Sequence, residues 1–438
     1  MQIQSSSRVV PLDARRNFVA FAGDILFFVT GTYFIPVTTV LVGLVSELTD
    51  NKVLIGAVGT AWLAVWYLPQ LFGARLVRGS RYQKRYVIVC ALIGRQVFLL
   101  LPLWLVMTGA AQPLLTVWLL LAGIVIFNFT DAIAGVAWFD IISRTLSPRM
   151  RGRVVTVAQL VASLVGLAVS VLVRYLLDPK ILAFPTNYAV LIALAWLFFV
   201  LSLLSFAMIK ENPVSDSVTD HANEGSFMAH LKEAVGTDKV FRQLLAARLL
   251  TGVEMMAASF YVVFIKDRLR LGDDSIGIFT QMLIIGAIVG LLLFGWLSER
   301  FGARRVVQAS TFFQFISPVL ALTIAAFPVI ADTVPGLAFG AMALVMALRG
   351  AIEHSLVLGF IGYCLDYAPD RNRAMYVGVL NTVSGVVALT PLLGGILIQA
   401  LQSTGGSTAY SIVFGLAAVM VALGLVAAFR LPKLPAHA

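Results

Sequence analysis

Four carboxylates stand inside stretches of sequence that are otherwise apolar: Asp24, Asp131, Glu254 and Glu353. Two arginines, Arg95 and Arg349, are placed in the same way. An ionisable side chain held in a bilayer costs at least about 2.5–3.5 kcal/mol, so such residues pair with each other or act on a passing proton or solute. A carboxyl whose pKa is raised by burial can load and release a proton as its access changes sides. The competing role is static pairing. Arg349 and Glu353 are four apart and share a helix face, and Asp131 or Asp24 could pair with Arg95. Glu254 has no base four residues away, which makes it the first choice for a proton carrier. No other chemistry is legible. The sequence has no phosphate loop and no nucleophile elbow. His221, His230, His354 and His437 are scattered, and Cys90 and Cys364 show no metal or disulfide spacing. Neither an enzyme nor a nucleotide-driven pump is expected, and no cofactor or metal.

The elements that must position these charges are membrane helices. The chain has 438 residues, 60% of them hydrophobic and only 12% charged, against roughly a quarter charged in soluble domains. A helix needs about 20 apolar residues to cross a bilayer. Twelve such runs are read, near 17–45, 53–74, 86–108, 113–142, 154–177, 187–209, 241–266, 275–298, 306–329, 333–365, 374–401 and 408–430. Pro36, Pro102, Pro318 and Pro391 lie inside them, and each removes a backbone donor and can bend its helix. The polar N-terminus is followed by no cleavable signal pattern.

Charge sets the orientation. Of the 32 Lys and Arg, only Lys52, Arg174, Lys180, Lys266, Arg268 and Arg270 fall on the side away from the N-terminus; Arg95, Arg248 and Arg349 lie within spans. The bias puts both termini in the cytoplasm. It also accounts for the net charge of +10 without nucleic acid, because these residues face an anionic leaflet. Arg248, nearer the cytoplasmic end of its span, is expected to snorkel. The division is 1–209, a first six-helix bundle; 210–240, a cytoplasmic linker; and 241–438, a second six-helix bundle. Within the linker, Phe227, Leu231 and Val235 suggest a short amphipathic helix. The halves echo each other at an offset of about 222: Asp131 falls on Glu353, Arg144 on Asp366 and Gly73 on Gly295. Two similar bundles related by an axis along the membrane normal are expected.

The eleven residues from Gly295 to Arg305 form a charged hairpin between two runs. Gly295, Leu297, Glu299, Arg300, Gly302, Arg304 and Arg305 resemble the loop of the major facilitator superfamily, Gly-x-Leu-x-Asp-Arg-x-Gly-Arg-Arg, with Glu299 in the acid's place. A second copy, at 73–85, has Val77 where the acid belongs. The resemblance implies an all-α integral membrane protein of twelve transmembrane helices in two pseudo-symmetric bundles. It implies that spans one, four, seven and ten line a central cavity, and each carries one of the four acids. It also implies cytoplasmic latches that close the outward-facing state, with Glu299 and Arg300 in one and Asp140 and Arg144 in the opposing one. Tyr33, Trp62, Trp66, Trp138, Tyr261 and Tyr363 are candidate cavity aromatics. Thr390-Pro391-Leu392-Leu393-Gly394-Gly395 is similar to a drug/proton antiporter signature, although small-residue helix packing explains it as well.

The expected function is secondary active transport of a small organic solute by alternating access, coupled to protons, with antiport or efflux slightly favoured over symport. A facilitative uniporter and a transporter-like receptor are the alternatives. The expected partners are the solute, protons and the lipid bilayer. The expected setting is a bacterial inner membrane, with a single chain as the working unit.

Overall fold

The computed structural model describes residues 14–67, 69–77, 80–212, 236, 238–368 and 373–433. The amphipathic segment expected at 227–235 lies outside them. Eleven helices are long and apolar enough to cross a membrane, and a twelfth, shorter apolar helix is Lys52–Tyr67. We number the spans α1 (Ala14–Leu48), α2 (Lys52–Tyr67), α3 (Lys84–Thr108), α4 (Pro113–Thr145), α5 (Pro148–Leu176), α6 (Thr186–Ala207), α7 (Lys239–Leu269), α8 (Asp274–Phe301), α9 (Ala303–Ala326), α10 (Pro335–Tyr367), α11 (Met375–Ala400) and α12 (Gly406–Phe429). The chain is a multi-pass integral membrane protein. Apolar side chains cover its outside, such as Leu100, Met107, Trp118, Leu292 and Val419. No strand occurs among the described residues.

Several spans are interrupted, and the interruptions follow the sequence. α1 breaks at Ile35-Pro36 and resumes through a π turn, Val37–Leu41. α3 breaks at Arg95-Gln96, six residues before Pro102, which itself lies inside the continuing helix Val97–Thr108. α11 breaks between Val387 and Thr390, just ahead of Pro391. Proline lacks the N–H that would close the preceding turn. Pro102 and Pro318 differ from Pro36 and Pro391: their helices run through them unbroken. α7 is divided into Lys239–Gly252, Met255–Ala258 and Tyr261–Leu269. α10 passes through a 3₁₀ turn at Ile352–His354 and a π turn at Leu356–Ile361. Arg95, Glu254 and Glu353 therefore all sit at irregular backbone. Such backbone is tolerated at membrane depth only where protein or a cavity covers it.

Within the first half α1 packs on α5 and α6, and α4 on α2 and α3; within the second, α8 packs on α10 and α9 on α12. Between the halves the main contacts are α5 with α8 and α2 with α11. These meet at the end of the bundle away from the termini, hereafter the far end. There, ideal Cβ atoms on Gly56 and Gly395 would lie 2.3 Å from the Pro391 and Lys52 carbonyl oxygens, and one on Gly277 would lie 2.3 Å from Arg174 Cα. Only a residue without Cβ permits those approaches. Gly394 packs likewise on the Met256 carbonyl, so the Thr390–Gly395 stretch serves as a helix-packing surface here.

Polar bonds close the same end. Thr39 Oγ1 of α1 lies 2.8 Å from Thr280 Oγ1 of α8. Lys266 of α7 reaches Glu47 of α1 at 2.7 Å and also pairs with Asp273. Lys52 lies 3.6 Å from Asp267, and Arg268 lies 2.7 Å from Asp332. Three of the six cations at this end, Lys52, Lys266 and Arg268, are thus answered by acids. At the termini end the described hydrogen bonds each join elements of one half. Lys84 Nζ donates to the Ala207 and Ile209 carbonyls, Asn17 exchanges two bonds with Lys210, and Arg304 donates to the Leu431 and Phe429 carbonyls.

Candidate functional site

The mid-span charges form two groups, one in each half. In the first, Asp24 of α1 is buried and accepts hydrogen bonds from Trp138 Nε1 of α4 at 2.7 Å and Ser202 Oγ of α6 at 2.6 Å. Arg95 is buried at the α3 break, donates to the Phe199 carbonyl, and lies 5.6 Å from the Phe28 ring centroid. It is near enough to Asp24 and Asp131 to attract both, yet among the described residues no carboxylate comes within 4.0 Å of it. The Trp66 side chain of α2 lies close enough to Asp131 to act on it. Asp24 is therefore held by an indole and a hydroxyl, and the arginine is a counter-charge felt by both acids.

In the second group Glu254, wholly buried at the α7 break, accepts from Arg349 Nη1 of α10 at 2.8 Å and from Tyr261 Oη at 3.2 Å. Sequence spacing suggested Arg349 with Glu353 as a static pair. The structure places Arg349 on Glu254 instead, because the 3₁₀ turn at Ile352–His354 intervenes within the four-residue spacing. Glu353 is exposed and lies near enough to Tyr33 of α1 to act on it electrostatically. The base missing four residues from Glu254 in sequence is supplied across the bundle. Only tertiary contact could reveal it.

Arg248 is also placed differently from expectation. It does not snorkel: it is 6% exposed, Nε donates to Ser384 Oγ of α11 at 3.0 Å, and the guanidinium lies 5.7 Å from the Phe360 centroid. Its depth in α7, nine residues past Lys239, was the available signal.

The aromatic candidates divide. Trp138 and Tyr261 hold acids as described, Trp66 lies near Asp131, and Tyr33 shares a 3.1 Å hydrogen bond with Ser163. Trp62 packs on Phe127, with centroids 5.7 Å apart. Tyr363 lies away from the site, donating to the Pro432 carbonyl at 3.0 Å.

At the termini end Asp140 and Arg144 pair at 3.0 Å within α4. Arg144 also pairs with Glu211 at 3.1 Å and donates to the Asn212 carbonyl. Glu211, read from sequence as the start of the linker, accepts from the Gln83 and Lys84 backbone N–H groups at 2.6 and 2.9 Å. It caps α3, where a carboxylate suits the helix dipole. The linker's other end is anchored too: Asp238 caps α7 through the Phe241 N–H and accepts from Tyr367 and Tyr376. In the 295–305 hairpin, Gly302 alone joins α8 to α9, at φ 79°. Glu299 and Arg300 are exposed, and Arg300 lies over Trp296 and Phe301. Arg305 donates to Gln308. Ala303 intervenes before Arg304 and Arg305, one residue more than the superfamily pattern has. No described ion pair joins these residues across the halves in this state. Residues 78 and 79 of the weaker copy lie outside the described residues.

Comparisons agree with this architecture. Residues 244–438 match the family model of the Major Facilitator Superfamily. Among solved structures, the nucleoside transporter NupG is 14% identical, with a TM-score of 0.66 over 95% of this chain and 98% of that one. A bacterial homolog of the human lysosomal transporter Spinster, in an inward-facing and occupied conformation, is 14% identical with a TM-score of 0.65 over 94% and 95%. A D-xylose–proton symporter is 12% identical with a TM-score of 0.65 over 93% and 96%. At these identities the likeness establishes the fold. The matched family and these structures are transporters rather than enzymes. A comparison with curated protein sequences gave no match.

Proposed function

We propose that this chain, which has the major facilitator superfamily fold throughout and that superfamily's sequence in its second half, is a proton-coupled secondary transporter of a small organic solute. The observation that carries the reading is Glu254. A fully buried carboxylate sits at a helix break and is held by one arginine from another span. Protonation of Glu254 would release Arg349, and re-formation of the pair would expel the proton. Asp24, Asp131 and Arg95 form the corresponding group of the first half, and Glu353 is an open carboxylate near Tyr33.

Alternating access follows from the unequal ends. With both termini in the cytoplasm of a bacterial inner membrane, the glycine-packed far end is external. The present state is then closed outside and parted inside. Reversal would open the far end and bring the Gly295–Arg305 hairpin and the Asp140–Arg144 pair into latching contact with the opposite halves. The two bundles, 1–209 and 241–438, would rock as units joined by 210–240, and one chain holds the whole path.

Purified protein in liposomes should move a solute without ATP, at a rate set by an imposed pH gradient, and Glu254→Gln should remove that dependence. Transport of unchanged pH dependence in this variant overturns the assignment. Antiport remains the preferred direction of coupling, with efflux as its physiological sense. Facilitative uniport is the second reading, favoured by the full hydrogen-bonding of Asp24 and Glu254, which suits fixed struts as well as proton carriers.

A further inference from the structure

Arg248 differs from the other deeply placed cations in what surrounds it. Lys266 meets Glu47 and Asp273, and Arg349 meets Glu254. Arg95 spends a terminal nitrogen on the Phe199 carbonyl and lies near two acids. Arg248 is as buried as these, but among the described residues no carboxylate lies within 4.0 Å of it. The groups that act on it electrostatically are the Tyr67 hydroxyl at the end of α2 and a second cation, Arg349. The charge of Arg349 is already balanced by Glu254, so among the described residues no acid balances Arg248.

Its setting fixes the side chain at Nε. Ser384 holds Nε, and the guanidinium lies over the Phe360 ring, 5.7 Å from its centroid. Neither terminal nitrogen has a described hydrogen bond. A guanidinium presents those two N–H groups as a planar pair that matches the two oxygens of a carboxylate or a phosphate. An unbalanced cation at membrane depth is expensive, and an incoming anion removes that cost. The residues around it come from α2, α7, α10 and α11. The contacts between the halves are concentrated at the far end, while Arg248 lies in the half of α7 nearer the termini.

We propose that Arg248 is the recognition group for the transported solute, that the solute is a small organic anion, and that its carboxylate or phosphate binds the terminal nitrogens of Arg248 beside the Tyr67 hydroxyl. This rests on the transport reading above. Ser384 is a positioning residue, since it acts through Arg248. The adjacent Arg349 disfavours a solute whose cationic group lies near its acid group.

The test is thermal stabilisation of the purified full chain by matched solutes: lactate, succinate, glycerol 3-phosphate and glucose 6-phosphate, against glycerol, glucose and ethanolamine. At least one anion should raise the melting temperature in a saturable way, with the carboxylates and the phosphates separating the two sources of negative charge. Arg248→Gln should abolish that shift, Arg248→Lys should retain part of it, and Ser384→Ala should weaken apparent affinity roughly tenfold, about 1.4 kcal/mol. Glu254→Gln should still bind the anion while losing pH-dependent transport. Stabilisation by the neutral or cationic solutes alone, or unchanged anion binding in Arg248→Gln, overturns the proposal. Should Arg248→Gln fail to fold, Ser384→Ala and Tyr67→Phe decide, since unchanged affinity in both would be fatal. Binding that stands without counterflow in liposomes would remove the transport reading and leave the anion site.

Discussion

Glu254 and Arg349 stand 95 residues apart in sequence and 2.8 Å apart in space, at the junction of α7 and α10. Glu254 has no exposure, and the Arg349 side chain is 17% exposed. A pair this deep is costly to break from one side, because the surviving charge stays buried.

Arg349→Met should therefore destabilise the protein by on the order of 3–5 kcal/mol, seen as a lower melting temperature. Glu254→Gln should cost less, since the amide still meets the Tyr261 hydroxyl. The double variant should recover much of the loss. If the two single effects simply add, the pair is not coupled.

Far-end closure depends on backbone contact at Gly277. A side chain there meets Arg174 Cα at 2.3 Å, so Gly277→Val should drive α8 from α5 and open that end. Distances between spin labels on α5 and α8 should lengthen. Gly295→Ala, whose added carbon meets nothing within 4 Å, is the matched control and should leave them unchanged.

The hairpin makes a prediction that depends on state. Glu299 is exposed here, so Glu299→Gln should alter melting by no more than about 0.5 kcal/mol. If Glu299 serves a latch formed only after reversal, the same variant should shift the population toward the present state. Accessibility of cysteines placed on the far-end segments would report that shift as protection.

Glu211 should be more than a linker residue. Its carboxylate serves two backbone donors and Arg144, and charged hydrogen bonds of this kind contribute about 1.5–3 kcal/mol each when lost. Glu211→Ala should lower the melting temperature, whereas Lys433→Ala, near the far terminus, should not.

Asp273, in the turn before α8, has a carboxyl pushed above the ordinary 3.8 by burial, against the pull of Lys266 and with Glu47 adding to the rise. The folded protein then holds a proton at a pH where the unfolded chain has released it. Stability through this group is fully present below 3.8 and is lost as pH rises through the raised value. This slope is opposite to that of a carboxylate whose pKa is lowered by its partner. Wild type should lose stability relative to Asp273→Asn across that window, measured by melting at a series of pH values.

Much of the architecture could be read along the chain, because a bilayer imposes it locally. Each backbone polar group must be satisfied within its own helix, so a run of about 20 apolar residues declares a span without reference to any other. The twelve spans, the breaks near Pro36 and Pro391, and the depth of Asp24, Arg95, Asp131, Glu254, Arg349 and Glu353 were all legible on that ground. Partner choice was not. Sequence spacing offered Glu353 to Arg349, but a 3₁₀ turn separates them and α7 delivers Glu254. The same limit hid the buried setting of Arg248 and the role of Glu211 as a helix cap. Charge depth is a property of one helix, whereas charge pairing is a property of how several helices pack, and that was decided only when α2, α7, α10 and α11 came together.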